Sequence, residues 1–305
     1  MVEIVVPPGL ARRRALGEAW GRWLDALPRR TGDLLVEWEL RADGPPWHGY
    51  CSLVLPVRTA AGRAGALKVS FDGDEESALE HLALTVWAGG PGVELLRADP
   101  RRRAMLLERV GPDDLTEAWD VEACEVVADL YGRLHVPAGP QFALLSDVVS
   151  RWETQLAALP RTAPLPRRMV DHARSLARSF AADAATDGRL VHFDLHYANV
   201  LGRGSGWVAI DPKPLSGDPH CELSPMLLNR VDELAGDVRA GLRRRFETLV
   251  DVALLDEDRA RDWVILRVMA NAGWTIAAAA EAGRALDEAE KEWVTRCITV
   301  AKAVQ

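Results

Sequence analysis

Two different spacings of apolar residues divide the chain. Between residues 34 and 110 the apolar positions occur in short runs typical of strands, with a single helical stretch near 75–88. The predicted strands are 34–40, 52–57, 66–70, 92–97 and 104–109. An amphipathic helix over 10–28 precedes them, because Trp20, Trp23, Leu24 and Leu27 recur at helical spacing.

From residue 115 onward the apolar spacing becomes helical, and it predicts helices over 117–135, 146–158, 166–184, 223–234, 236–254, 256–281 and 285–302. Gly111 and Pro112 break the pattern just before this change. We therefore predict an α+β protein with a small antiparallel-sheet lobe in residues 1–110 and a larger helical lobe in residues 111–305.

One segment interrupts the helical half of the chain. Two short apolar runs, 200–201 and 207–210, are joined by a glycine-rich turn, which predicts a β-hairpin. Asp194 and Asn199 lie five residues apart before the hairpin, and Asp211 follows it. The hairpin explains how Asn199 and Asp211 can face one another across a metal ion.

These three polar residues have the spacing of a phosphotransferase catalytic loop and its metal-binding carboxylate. In that chemistry the first Asp accepts or orients the proton of the attacking hydroxyl, while the Asn and the second Asp hold Mg²⁺ on the nucleotide phosphates. Each Asp alone could be an ordinary turn carboxylate, and only the joint pattern favours a site. His192 and His196 flank Asp194 without a third nitrogen or sulfur ligand nearby, so we expect them to support the loop.

The motif His192-x-Asp194-x-His196-x-x-Asn199-Val-Leu, followed by Ile-Asp-Pro-Lys-Pro-Leu-Ser-Gly-Asp-Pro over 210–219, resembles the aminoglycoside phosphotransferase superfamily. More narrowly, it is similar to the branch of streptomycin 6-phosphotransferases and hydroxyurea phosphotransferases. The resemblance implies a protein-kinase-like two-lobe fold with ATP and Mg²⁺ as cofactors. It also implies Asp194 as the catalytic residue, with Asn199 and Asp211 as metal ligands.

Two nucleotide-binding residues are implied further upstream. Lys68 lies in an alternating apolar run and resembles the strand lysine that pairs with nucleotide phosphates, although a solvated strand lysine is the alternative. Glu80 resembles the helix glutamate that forms a salt bridge with this lysine. Glu75 and Glu76 remain rivals for that role, because one sequence does not fix the register of a helix.

The rest of the expected nucleotide site has weaker signals. No Gly-x-Gly-x-x-Gly is present, and Gly49 and Ser52 stand where the resemblance places the phosphate-covering loop, with a simple turn as the alternative. Glu108 and Val110 stand at the end of the last predicted strand. By resemblance this is the hinge whose backbone groups bind the purine edge.

The resemblance places the acceptor between the catalytic loop and the C-terminal helices, with these candidate contacts: Asp218, Glu222, Asn229, Trp263 and Trp274. Carboxylates would pair with guanidinium or ammonium groups, and an indole face would cover a cation. Each has a plainer alternative. Asp218 is a good helix cap, Glu222 departs from the Asp expected in this branch, and the tryptophans are also typical of a core.

Composition narrows the class of protein. The net charge of −8 argues against nonspecific nucleic-acid binding and is compatible with a cationic small substrate. The four cysteines are widely scattered and indicate neither zinc nor a disulfide framework. We expect no membrane-spanning run and no secretory signal, and therefore a cytoplasmic location.

The expected activity is ATP-dependent transfer of phosphate to a hydroxyl of a small, cationic antibiotic such as streptomycin, which would give antibiotic resistance by inactivation. A hydroxyurea phosphotransferase and an endogenous sugar or amino-sugar kinase are alternatives with the same catalytic motif. An inactive pseudokinase regulator is disfavoured, because Lys68, Asp194, Asn199 and Asp211 occur together. A protein kinase is disfavoured because no long activation segment follows Asp211.

Overall fold

The computed structural model describes residues 4–234 and 236–305. The chain forms two compact units, Met1–Pro112 with Gly202–Lys213, and Asp113–Leu201 with Pro214–Gln305. The predicted division at residue 110 lies two residues before the end of the first segment, and Gly202–Lys213 packs with the first unit. Its backbone is held there by hydrogen bonds from Gly111 N to Gly202 O at 2.9 Å and from Val93 N to Ala209 O at 3.0 Å.

The described residues of the first unit contain an antiparallel sheet and three α-helices. The helices are α1 Pro8–Ala11, α2 Glu18–Glu37 and α3 Glu80–Val86. The strands are β1 Arg41–Ala42, β2 Trp47–His48, β3 Ser52–Arg58, β4 Ala64–Ser70, β5 Leu95–Asp99 and β6 Ala104–Glu108. They pair in the order β1-β3-β4-β6-β5, and β2 also pairs with β3. The strands predicted at 52–57, 66–70 and 104–109 are confirmed, whereas β5 begins later than predicted and α3 is shorter.

The strand predicted at 34–40 is wrong, because helix α2 continues to Glu37. Leu27, Leu34 and Leu35 are all buried, and their helical spacing keeps one apolar stripe against the sheet. Pro28 lies inside the helix without ending it, although proline removes a backbone donor there. The helix stops only near Glu39, whose φ is +54°.

The two faces of the sheet have different roles. Alternate residues of β3 and β4, among them Leu53, Leu55 and Leu67, join α2 in one buried apolar cluster. Lys68 lies between these inward positions on β4 and therefore belongs to the opposite face. It pairs in register with Val54 and Met105. The alternation of the strand thus separates the lysine from the core of the unit.

The second unit is mainly helical. Its helices are α4 Asp120–Leu134, α5 Leu145–Ala158, α6 Arg167–Ala182, α7 Ser224–Leu228, α8 Val238–Ala253, α9 Glu257–Glu281 and α10 Glu288–Ala303. Two short strands, β7 Arg189–Val191 and β10 Leu215–Gly217, pair antiparallel within it. The predicted hairpin is present as β8 Val200–Arg203 and β9 Gly206–Ala209, and from Gly202 onward it belongs to the first unit.

The helix predicted at 223–234 is wrong in length, since α7 ends at Leu228. Asn229 is extended and Arg230 has a φ of +53°, which breaks the helix before a short 3₁₀ turn at Val231–Glu233.

Helix α9 has the length and hydropathy of a membrane-crossing segment, so the expectation that no such run exists is wrong by those two criteria. The apolar window of α9 is 72% buried inside the structure. The helix is therefore a core element of its unit.

Candidate active site

A buried ion pair joins β4 to α3. Lys68 Nζ donates to both oxygens of Glu80, at 2.8 and 2.7 Å, and both residues are buried. Glu75 and Glu76 are exposed and precede the helix. Of the three glutamates that the sequence left open, the salt bridge therefore goes to Glu80.

Asp211 lies against the same lysine. Its Oδ1 accepts from Lys68 Nζ at 2.6 Å, and its side chain is 33% exposed. Burial by itself lowers the pKa of Lys68, but Asp211 and Glu80 raise it above its ordinary value of 10.5. Lys68 therefore stays protonated between two carboxylates. Asp211 has a φ of +57°, in the left-handed region that few non-glycine residues adopt and that aspartate adopts more readily than most.

The catalytic loop predicted from sequence lies between β7 and β8. Asn199 Nδ2 donates to the backbone carbonyl of Asp194 at 2.9 Å and closes this loop on itself. The amide nitrogen of Asn199 is thereby committed, and its oxygen is the atom suited to a metal ion. His192 Nδ1 accepts from Asp194 N at 3.3 Å, which is a supporting contact.

The residue before Asp194 is in an unusual conformation. Phe193 has a φ of +66°, which non-glycine residues rarely adopt. Glu222 accepts from the backbone N–H groups of His192 at 2.6 Å and of Phe193 at 2.9 Å. His135 Nε2 lies 3.3 Å from the same carboxylate.

Glu222 is fully buried, so the structure gives it a role in the loop and not on an acceptor surface. Burial by itself raises the pKa of Glu222, but the His135 contact and the bond from His192 N more than offset it. The pKa is therefore lowered below 4.5, and the carboxylate is ionised at neutral pH.

Arg267 holds the other side of Phe193. Its guanidinium donates to the backbone carbonyls of Phe193 and Cys221, and lies over the Phe193 ring at 3.9 Å. Trp152 stacks with the same ring at 6.2 Å between centroids. Arg267 was not among the residues predicted from the sequence, where its signal was a lone arginine within the apolar part of α9.

The other acceptor candidates are not brought together on one open surface. Asp218 is buried and accepts from Trp263 Nε1 at 2.6 Å, so both belong to an internal polar cluster completed by Arg259. Asn229 Nδ2 donates to Pro225 O at 2.8 Å. Trp274 is 64% exposed on α9.

The remaining nucleotide candidates lie in the first unit. Ser52 is buried at the start of β3. The Glu108 carboxylate accepts from Glu94 N at 2.8 Å and from Arg203 Nη1 at 3.0 Å, so its side chain is engaged within the unit. Val110 is half-buried just after β6. The hinge contact with a purine therefore stays a prediction about backbone atoms.

Each unit carries groups that suit a nucleotide with a divalent ion: the Lys68 ammonium and the Asp211 carboxylate in the first unit, and the Asn199 amide oxygen in the second. Carboxylate and amide oxygens are hard ligands that suit Mg²⁺ when phosphate oxygens complete its coordination. The protonated ammonium of Lys68 suits the phosphates themselves. An antiparallel sheet with a lysine–glutamate pair, and a helical unit with an Asp–Asn loop, define a protein of the kinase-like phosphotransferase class.

Comparison with known proteins identifies the family. Residues 37–279 match the model of the family described as aminoglycoside/hydroxyurea antibiotic resistance kinase. The chain is 38% identical to streptomycin 6-kinase of Streptomyces glaucescens, over 90% of this chain and 92% of that protein. It is 40% identical to hydroxyurea phosphotransferase of Kitasatospora aureofaciens, over 85% of this chain and 76% of that protein.

Solved structures agree on the fold. An amicoumacin kinase superposes with a TM-score of 0.62 at 14% identity, over 92% of this chain and 95% of that one. The predicted α+β, protein-kinase-like two-lobe fold is therefore confirmed. The chain belongs to the aminoglycoside/hydroxyurea antibiotic resistance kinase family. It is a phosphotransferase that uses an alcohol group as acceptor.

Proposed function

We propose that this enzyme transfers the γ-phosphoryl group of ATP to a hydroxyl of streptomycin or a closely related cationic antibiotic. The proposal is supported by 38% identity to a streptomycin 6-kinase across nearly the whole of both chains. Transfer to the hydroxyl would inactivate the antibiotic in the cytoplasm, where ATP is available.

The single observation that carries the chemistry is the joint presence of a lysine–glutamate pair, a carboxylate beside it and an Asp–Asn loop. In the proposed reaction Lys68, held by Glu80, binds and orients phosphate oxygens. Asp211 and Asn199 would supply the protein oxygens for Mg²⁺, which would neutralise charge on the phosphates when bound. An amicoumacin kinase of the same fold was solved with AMP-PNP and Ca²⁺, which supports a nucleotide and a divalent ion.

Asp194 acts on the acceptor in this scheme. It accepts or orients the proton of the attacking hydroxyl, whose oxygen forms the new bond to phosphorus as the bond between phosphorus and the ADP oxygen breaks. The products are ADP and a phosphate monoester. The loop bonds from Asn199, Glu222 and Arg267 hold the backbone on both sides of Asp194 for this step.

A second candidate acceptor is hydroxyurea. The 40% identity to a hydroxyurea phosphotransferase favours it, and the catalytic residues are equally suited to either hydroxyl. An endogenous sugar or amino-sugar kinase shares the same chemistry and is the third possibility within this enzyme class.

The acceptor is tested by measuring ADP release with Mg²⁺–ATP against a panel of streptomycin, other aminoglycosides, hydroxyurea and amino sugars. Mass spectrometry of the acceptor should show the gain of one phosphoryl group. Asp194→Asn is the control for enzyme-dependent transfer. Phosphorylation of hydroxyurea or of an uncharged sugar in clear preference to streptomycin would overturn the proposed substrate and leave the kinase chemistry standing.

A further inference from the structure

A second lysine lies beside Asp211. Lys213 Nζ is 3.8 Å from Asp211 Oδ1 and 3.6 Å from Asp74 Oδ2, and its side chain is only 13% exposed. Pro212 and Pro214 flank it and restrict the backbone on both sides. Lys213 is therefore held near the carboxylate proposed to bind the metal.

Asp74 is itself held in place by several contacts. Its Oδ2 accepts from Cys51 Sγ at 2.9 Å and from the Ser77 hydroxyl. Arg103 donates to the Asp74 backbone carbonyl. Lys213 thus lies near one carboxylate of its own and near Asp211, as Lys68 does, but its contacts are longer ion pairs, whereas Lys68 makes direct hydrogen bonds to Glu80 and Asp211.

Positions 68 and 213 carry lysine in a chain whose cationic side chains are mostly arginine. The chain contains only four lysines, Lys68, Lys213, Lys291 and Lys302, whereas arginine supplies its other basic side chains. Two of the four meet at one carboxylate. Lysine presents a compact point charge with rotating donors, and in that form it is a common ligand of phosphate groups.

The turn before β3 is the place where the sequence predicted a backbone donor for the nucleotide phosphates. Gly49 N, which the sequence offered as a phosphate donor, donates to Ser52 O at 3.0 Å. Phe71 N donates to Cys51 O at 2.7 Å in the same region. The N–H of Gly49 is therefore already engaged within the turn, and the turn lacks the glycine-rich pattern that covers phosphates in protein kinases.

We propose that Lys213 is a second phosphate-binding lysine, which contacts the β- or γ-phosphate of the nucleotide, and that Asp74 positions it. The inference rests on the proposed phosphotransferase function. It assigns to this chain two ammonium groups for the nucleotide phosphates, one on β4 and one following β9.

The test is nucleotide binding measured by calorimetry with Mg²⁺ and without any acceptor, using AMP, ADP and ATP. Lys213→Met should weaken ATP binding by about 10- to 100-fold, the size of one charge-assisted hydrogen bond, and leave AMP binding unchanged. Asp74→Asn should weaken ATP binding less, and the double variant should lose less than the sum of the two effects. Lys291→Met removes an exposed lysine on α10 and is the matched control.

The outcomes separate this inference from the proposed function. If the wild-type protein binds neither ADP nor ATP, the proposed ATP-dependent transfer itself fails. If the wild-type protein binds ATP and Lys213→Met binds it equally well, or loses AMP and ATP affinity by the same factor, only the role of Lys213 is overturned. Lys213→Gln is measured in parallel in case the Met variant does not fold, and Lys213→Arg should retain part of the ATP affinity.

Discussion

Replacing Glu222 with Gln should slow phosphoryl transfer without weakening ATP binding. The Glu222 carboxylate accepts from two successive backbone N–H groups, at 2.6 Å from His192 and 2.9 Å from Phe193. Glutamine has one acceptor oxygen, and its amide nitrogen would face the second N–H. One buried backbone donor would then lack a partner, at about 1–3 kcal/mol.

The positive φ of Phe193 makes the loop sensitive to this loss. A left-handed non-glycine residue is less stable by about 1–2 kcal/mol, and the bonds from Glu222 and Arg267 offset that strain. With one bond missing, the backbone next to Asp194 can relax. We expect kcat to fall about 10- to 100-fold, since small misplacements of a reacting group have effects of that size.

Steady-state kinetics with the best acceptor of the panel, calorimetry with ATP, and urea unfolding together check this prediction. The unfolding free energy should fall by about 1–3 kcal/mol, while the Kd for ATP stays within twofold. Glu288→Gln, an exposed glutamate on α10, is the matched control. Arg267→Lys should not add fully to Glu222→Gln, because both side chains hold Phe193. Wild-type kcat and stability in Glu222→Gln would refute the reasoning.

The Glu222 carboxylate should also make the stability of the protein depend on pH. The pKa of Glu222 is lowered in the folded protein, so the folded state binds a proton there less readily than the unfolded chain. Its stabilising contribution is present above its ordinary pKa of 4.5 and is lost as the pH falls through the lowered folded value. Unfolding midpoints measured across this acidic range should therefore drop more steeply in the wild type than in Glu222→Gln.

The remaining predictions concern the proposed reaction. Asp194→Asn should keep ATP binding but lose about 10²–10⁴-fold in kcat, because the amide cannot take a proton. A kcat near the wild-type value would show that Asp194 is not the proton acceptor. Asp211→Ala should disturb the Mg²⁺ dependence of turnover more than Asn199→Ala, because a carboxylate brings a full charge to the ion; an unchanged Mg²⁺ requirement would contradict the assignment. Lys68→Ala and Glu80→Ala should each raise KM for ATP and lower kcat, and fully additive losses would argue against a paired unit.

Local patterns in the sequence were enough for the parts of the site that lie close together along the chain. The offset between Asp194 and Asn199 reflects a single loop, and the structure closes that loop with one hydrogen bond between them. The glycine-rich turn between two apolar runs likewise predicted the hairpin before Asp211. Such features depend on neighbouring residues alone.

Other features needed contacts between distant residues. The sequence left Glu75, Glu76 and Glu80 open, and only the packing of α3 beside β4 placed Glu80 on Lys68. The apolar run at 34–40 fits a strand by its alternation, but burial against the sheet extended helix α2 through part of it. Tertiary packing outweighed local preference there, as it often does for short apolar runs.

The sequence by itself determined the class of chemistry, because the spacing of Asp194, Asn199 and Asp211 is a local property that the chain carries in any conformation. Only the tertiary structure decided what supports that chemistry. Glu222, expected to contact the acceptor, instead accepts a hydrogen bond from the backbone of the predicted catalytic loop. Lys213 lies beside Asp74, which the sequence did not indicate. The physical reason is that a buried charge is stable only next to its partners, and those partners are far away along the chain.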